Sequence, residues 1–229
     1  MSARPVLYHF AFDPASRVAR LALGEAKAEW ADQLVKPWEP DSPVHALNPS
    51  GMPPVLTVGE GARSLALREL DAILGWIEDN AKTPLMLPGT PVHRAEARRL
   101  TGWFARRFAD EVDAVLLHER MEKPLFRLGS PDARQLRAGR DALKIHLSML
   151  EALFVDGRDW LAGPRLSQAD FVAWGHLSVL DYFGEIRWGE YPGLKTWAMK
   201  LKSRPCARIL LGDRFPGVAP SAHYADLDF

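Results

Sequence analysis

The chain has 229 residues, 47% hydrophobic and 25% charged, and its 29 Lys and Arg balance 29 Asp and Glu to a net charge of zero. That mix belongs to a globular protein with its own core, and a balanced surface has no global attraction to nucleic acid or to an anionic membrane. One cysteine, Cys206, excludes an internal disulfide and fits a reducing compartment; the start M-S-A-R-P-V-L-Y-H-F lacks a signal-peptide run, and no stretch reaches the roughly 20 apolar residues of a membrane helix, so a cytoplasmic protein without membrane insertion is expected.

Val6 to Phe10 is a short apolar and aromatic run, read as a strand. Asp13-Pro14 opens a helix, since Asp caps an N-terminus and Pro suits a first turn. Val18, Leu21 and Ala22 follow at helical spacing, with Gly24 a mild blemish. Trp30 to Val35 reads as a second strand, and Lys36 to Ser50, rich in Pro, Asp and Asn, as a loop with room for one helical turn. Val55 to Val58 and Ser64 to Leu67 read as strands joined by a hairpin through G-E-G. Glu69 to Asn80 is a helix with Leu70, Ile73, Leu74 and Ile77 on one face.

This order is β-α-β then β-β-α over residues 1–80. Residues 81–92 hold three prolines and a glycine and read as a linker. Residues 93–211 are helical: His93 to Met121 in one helix or two, Pro131 to Val155, Ser167 to Phe183 with an S-x-x-D capping start, and Tyr191 to Leu211. Residues 212–229 lose periodicity and form a tail ending D-L-D-F.

Five stretches in this order resemble the glutathione S-transferase superfamily over nearly the whole chain. They are D-P-A-S-R-V-A-R-L-A-L (Asp13 to Leu23), N-P-S-G-M-P-P-V-L (Asn48 to Leu56), E-L-D-A-I-L-G-W-I (Glu69 to Ile77), W-L-A-G-P-R-L-S-Q-A-D (Trp160 to Asp170) and Y-P-G-L-K-T-W-A-M-K-L-K-S-R-P (Tyr191 to Pro205). The resemblance implies an α/β plus all-α fold, with a thioredoxin-like N-terminal domain, a helical C-terminal domain and a cis-proline at Pro54. Fold by itself does not give function.

The resemblance also says what an active member needs, and three positions depart from it. Where a hydroxyl or thiol should donate to the glutathione thiolate, this chain has Asp13. A carboxylate cannot donate, and at about 4 Å with an effective dielectric near 20 it repels a thiolate by roughly 4 kcal/mol. The same Asp13 is equally an ordinary helix N-cap. The residue before the cis-proline should offer an N–H and a C=O to the ligand, but Pro53 has no N–H, a loss of about 0.5–1.5 kcal/mol. The serine after Glu69 that should bind the γ-glutamyl carboxylate is Leu70, a loss of roughly 1.5–3 kcal/mol. Millimolar affinity amounts to only about 4 kcal/mol, so these losses together remove useful glutathione binding. No catalytic residue, cofactor or metal ligand set is assigned: the seven histidines form no H-E-x-x-H pattern, Cys206 has no local nucleophile signature, and no phosphate loop occurs.

Two features suggest a protein partner. Trp38 lies between prolines in K-P-W-E-P, and a Trp on a stiff loop is a common interface anchor. In the tail, Asp226 and Asp228 alternate with Leu227 and Phe229, giving an extended segment one acidic and one apolar face. With the degenerate ligand positions, these resemble the glutathione transferase-like, FtsZ-binding proteins of bacterial cell division. That resemblance implies a homodimer that binds FtsZ filaments at mid-cell and bundles or curves them, using Trp38, Asp226, Asp228, Phe229 and Glu119 on the helix before M-E-K-P. Two other readings stay open: a glutathione-dependent transferase or isomerase with Ser16 as the replacement group, and a module holding a non-thiol ligand in the old site.

Overall fold

The computed structural model describes residues 4–155 and 157–229, so the first three residues of the N-terminal stretch lie outside the described residues. The apolar runs near the start become four short strands: β1 (Val6–His9), β2 (Ala31–Leu34), β3 (Val55–Val58) and β4 (Leu65–Arg68), in the spatial order β2-β1-β3-β4. Strand β1 is parallel to β2, with Val6 beside Ala31, and antiparallel to β3, with Leu7 beside Leu56; β3 is antiparallel to β4. A parallel neighbour needs a crossover, and α1 (Pro14–Glu25) supplies it. The G-E-G connection works because Gly59 has φ +88°, and a Cβ there would sit 2.5 Å from the Arg63 carbonyl oxygen.

Leu7 and Leu56, register partners, are both fully buried, as are Val18, Leu21 and Ala22 of α1. Helix α3 (Leu70–Asn80) packs beside α1 and buries Ile73, Leu74 and Ile77, the face its periodicity marks. Helix α2 (Val44–Leu47) contributes Val44 to a small cluster with Val35, Val55, Tyr8 and Leu47.

The chain divides into two compact units: one running through Met86 and including Pro205–Asp213, the other made of Leu87–Arg204 and Arg214–Phe229. This differs from the division at 80, 92 and 211 that the sequence suggests, for visible reasons. Glu78 Oε2 accepts the N–H groups of Leu85 and Met86 at 2.8 and 2.7 Å, which pins the start of the expected linker. Arg17 and Arg20 of α1, both buried, hold Asp213, the latter through both carboxylate oxygens at 2.8 and 3.1 Å. Gly24 is no blemish: a Cβ there would meet the Cys206 Cβ at 3.0 Å, so glycine lets the 205–207 turn approach α1.

In the second unit the expected helix over 93–121 is one continuous helical run. It comprises α4 (Pro91–Gly102), a wide π-helical stretch over Trp103–Asp113, α5 (Ala114–Leu117), a second wide stretch over His118–Glu122 and α6 (Lys123–Phe126). After it come α7 (Ala133–Val155), α8 (Gln168–Tyr182) and α9 (Pro192–Lys202); α10 (Arg208–Leu211) belongs to the first unit. Every residue of α8 is buried, its polar side chains included.

Asp170, fully buried in the first turn of α8, accepts from the Leu161 and Ser167 N–H groups, the Ser167 hydroxyl and the Trp197 indole. Burial pushes its carboxyl up from the ordinary range, and the four donors pull it back. Asp170→Ala strands these four buried donors. It should lower stability by about 3 kcal/mol and the melting temperature by about 6–12 °C, read by scanning calorimetry.

Candidate functional site

The positions that resemble a thiol-tripeptide site are all in the first unit. Asp13 is the N-cap of α1, and its Oδ2 accepts the Ser16 N–H at 2.7 Å. A carboxylate in that role completes a helix terminus and offers no proton to a ligand sulfur. Ser16, the alternative group, is fully buried, and its hydroxyl oxygen accepts the Phe10 N–H at 3.3 Å. Asn48 builds the bend ahead of the prolines, donating to the Met52 carbonyl at 2.8 Å and accepting from the Ser50 N–H at 3.2 Å. The Pro53–Pro54 bond is cis, and both prolines are buried. Glu69 is exposed and has φ 66° and ψ 145°, a conformation tolerated mainly by glycine. Leu70 next to it is half-buried. The backbone of a ligand edge is present, while the side chains that would grip and ionise a thiol are not at these positions.

Trp38, also in the first unit, is 36% exposed, and its ring meets Phe10 edge-on with centroids 5.1 Å apart. The loop is stitched by a Lys36–Glu39 ion pair at 2.8 Å and by Ser42 N–H on the Glu39 carbonyl. The indole is thus partly held by Phe10 and still about a third exposed to solvent.

From Arg214 onward the tail belongs to the second unit and is packed on α8. The Tyr182 hydroxyl donates to the Val218 carbonyl at 2.7 Å and accepts the Phe215 N–H at 2.9 Å, and Tyr224 is fully buried. Asp226, Leu227 and Asp228 are exposed, and Phe229 is half-buried. The Asp228 N–H donates to Asp226 Oδ1 at 3.0 Å, so the end is a tight local turn. The two-faced extended segment read from the sequence is therefore corrected. Leu227 and Phe229 do not share a buried face, and only Phe229 turns inward.

Phe229 lies over Lys202, with Nζ 3.7 Å from the ring centroid. It also stacks on His223 at 5.3 Å and meets Trp188 edge-on at 5.4 Å. Beneath the ring, the fully buried Lys202 is 3.1 Å from the equally buried Asp181 Oδ2. Asp181 Oδ1 takes the Trp188 indole N–H and the His223 Nε2, each at 2.7 Å. Burial holds the Lys202 ammonium below its usual range, against the pull of Asp181. Phe229, expected as a partner contact, is half-buried and packs on this cluster.

Glu119 is corrected similarly. It is 2% exposed, and its carboxylate is occupied by Lys123 Nζ at 2.7 Å and the Asp132 N–H at 2.6 Å. Asp132 Oδ1 in turn accepts the Arg134 N–H at 2.7 Å at the start of α7. Burial raises the Glu119 carboxyl, but Lys123 and the Asp132 N–H outweigh it and hold the group below the usual carboxylate range.

A cleft of about 690 Å³ in this unit is lined by Arg137, Arg140, Lys144, Glu185, Arg187 and Glu190, but Glu185 is bonded to Arg120 and Arg140, and Glu190 to Arg187. Among the described residues, no group of three or more His, Cys, Asp or Glu can hold a metal ion, and no helix is long and apolar enough to cross a membrane.

Lys202, Asp181 and His223 went unremarked in the sequence, although a signal was there. An aspartate inside F-V-A-W-G-H-L-S-V-L-D-Y interrupts an apolar helix, and a carboxylate in such a place demands a buried partner. Phe10, which supports Trp38, carried no such signal.

Comparison with known proteins agrees with this architecture. The family model for the glutathione S-transferase C-terminal domain matches residues 132–198. The chain is 53% identical over 229 residues, all of both chains, to FtsZ-localized protein A of Caulobacter vibrioides (strain NA1000 / CB15N). The structure of FzlA from C. crescentus superposes with a TM-score of 0.94 at 52% identity, covering 99% of this chain and all of that one. A crystal structure described as a glutathione S-transferase from Rhodospirillum rubrum F11 superposes with a TM-score of 0.91 at 39% identity, covering 98% of this chain and all of that one.

Two measurements test the site geometry. Glu69→Gly removes a side chain from a conformation that suits glycine, so it should raise stability by about 1 kcal/mol and the melting temperature by about 2–4 °C. Glu119 has a folded pKa below its unfolded one, so its contribution is present above about pH 4.3 and is lost as the pH falls through the folded value. Glu119→Gln should therefore flatten the loss of stability on acidification below about pH 4.3, followed by urea unfolding.

Proposed function

Since the chain belongs to the FtsZ-localized protein A family, with a glutathione S-transferase fold, we propose that it is a non-catalytic FtsZ-filament-binding protein of cell division. The observation that carries this reading is Asp13. The residue that should activate a thiol is a carboxylate spent on capping α1. Supporting it, Pro53 has no N–H to give a ligand, and Leu70 replaces a polar carboxylate-binding side chain.

The contacts are Trp38 on its loop and the exposed carboxylates Asp226 and Asp228 on the tail. The protein acts as a homodimer, which presents each patch twice about a two-fold axis. A weak patch becomes effective on a filament because the second engagement is intramolecular at high effective concentration. Two-fold bridging of neighbouring filaments bundles or curves them, and recruitment by the filament places the protein at mid-cell. Nucleotide hydrolysis stays with the filament.

The test is co-sedimentation with polymerised FtsZ. The wild-type chain pellets, while Trp38→Ala and a chain ending at Ala225 bind at least about tenfold more weakly. Equal pelleting of all three sinks the contact assignment, and a monomer by light scattering sinks the bridging account.

A second reading, a glutathione-dependent transferase or isomerase, is favoured by the conformation of Glu69 at the start of α3, which keeps the backbone of a ligand edge. Calorimetry with glutathione separates the two: the first reading expects no binding below about millimolar, and clear micromolar binding selects the second.

A further inference from the structure

We propose that Phe229 is a positioning residue: it locks the end of the tail onto the Lys202–Asp181–His223 cluster, so that Asp226 and Asp228 stand in a fixed place to receive a basic segment of the partner. The functional half of this rests on the filament-binding reading. The anchoring half stands on the geometry alone.

The cluster has an unusual construction. Asp181 and Lys202 are both fully buried near the C-terminal ends of α8 and α9. Their ion pair alone leaves part of the ammonium without a partner, and an ammonium out of water must find one. The His223 carbonyl accepts one N–H at 3.0 Å. The Phe229 ring covers the ammonium with its negative face at 3.7 Å, inside the range of a strong cation–π contact. The same ring stacks on His223, whose Nε2 is bound to Asp181. The last aromatic of the chain is thus the lid of a buried charged pocket, and its removal would admit water to Lys202.

The consequence for the carboxylates is direct. Phe229 is held inward, and Ser221 is held by its N–H on the Tyr182 carbonyl at 2.8 Å. Between these points the chain has little freedom, and Asp226 and Asp228 are forced outward. A pair of outward carboxylates on a fixed turn recognises lysine or arginine on a partner. Without the lock, the apparent affinity falls in proportion to the fraction of tails in the competent position.

The experiment combines hydrogen–deuterium exchange of the tail with co-sedimentation, on the full chain. Phe229→Ala should speed exchange of the amides of Ser221, Tyr224, Asp226 and Asp228 by about tenfold or more and weaken pelleting with FtsZ about tenfold. Phe229→Trp, which keeps an aromatic face, should restore both. Asp226→Asn with Asp228→Asn should weaken pelleting with exchange unchanged, and wild-type pelleting should fall steeply with salt. Unchanged exchange in Phe229→Ala overturns the anchor, whatever happens with filaments. Faster exchange with undiminished pelleting overturns the positioning role. If Phe229→Ala does not fold, failure of the folded Phe229→Trp to keep slow exchange and pelleting overturns the proposal. A wild-type chain that does not pellet overturns the filament reading instead, and exchange alone then decides the anchor.

Discussion

A carboxylate taken out of water must be surrounded by donors or a cation, and α8 carries two such groups. Asp170 sits in its first turn and Asp181 in its last, both fully buried. Each gathers segments that are distant in sequence. Asp170 draws in Leu161, Ser167 and Trp197 of α9. Asp181 draws in Trp188, Lys202 of α9 and His223 of the tail. Because leaving either carboxylate unpaired costs several kcal/mol, these segments have one acceptable arrangement around α8. The helical unit is thus constrained by these two groups in addition to its apolar packing.

The tail acquires its functional meaning from the second of these groups. A terminal D-L-D-F segment would ordinarily fray, since chain ends have few contacts to offset their entropy. Here the end carries an aromatic ring that serves a buried ammonium. The pocket needs the ring, and the ring fixes the turn that displays Asp226 and Asp228. Stability of the core and presentation of a charged surface are thereby linked in one element. Trp38 is likewise braced from within, its ring meeting Phe10 edge-on.

The former ligand edge illustrates the separation of fold from function. The Asn48 bend, the cis bond before Pro54 and the left-handed Glu69 are features of backbone, and they persist. The chemistry resided in side chains and in one N–H. On the proposed reading, Asp13, Pro53 and Leu70 remove those without disturbing the path of the chain. Superposition with the structure of a chain described as a glutathione S-transferase at a TM-score of 0.91 therefore says little about catalysis.

Local rules were enough to determine much of this protein. The strand order along the chain, the helix faces of α1 and α3, the Asp13 cap and the capping start of α8 follow from periodicity and end signals, which act over a few residues. The missing N–H at residue 53 was legible too, because proline excludes that donor in any conformation. Tertiary structure decided the rest. That Glu119 is consumed by Lys123 and Asp132, that Asp213 binds α1, and that Phe229 faces inward while Leu227 faces out all depend on which groups meet after the chain has folded. Charge and hydrophobicity along a sequence do not say whether a carboxylate or a ring finds its partner inside the molecule or on its surface. Only the packing of elements remote in sequence settles that.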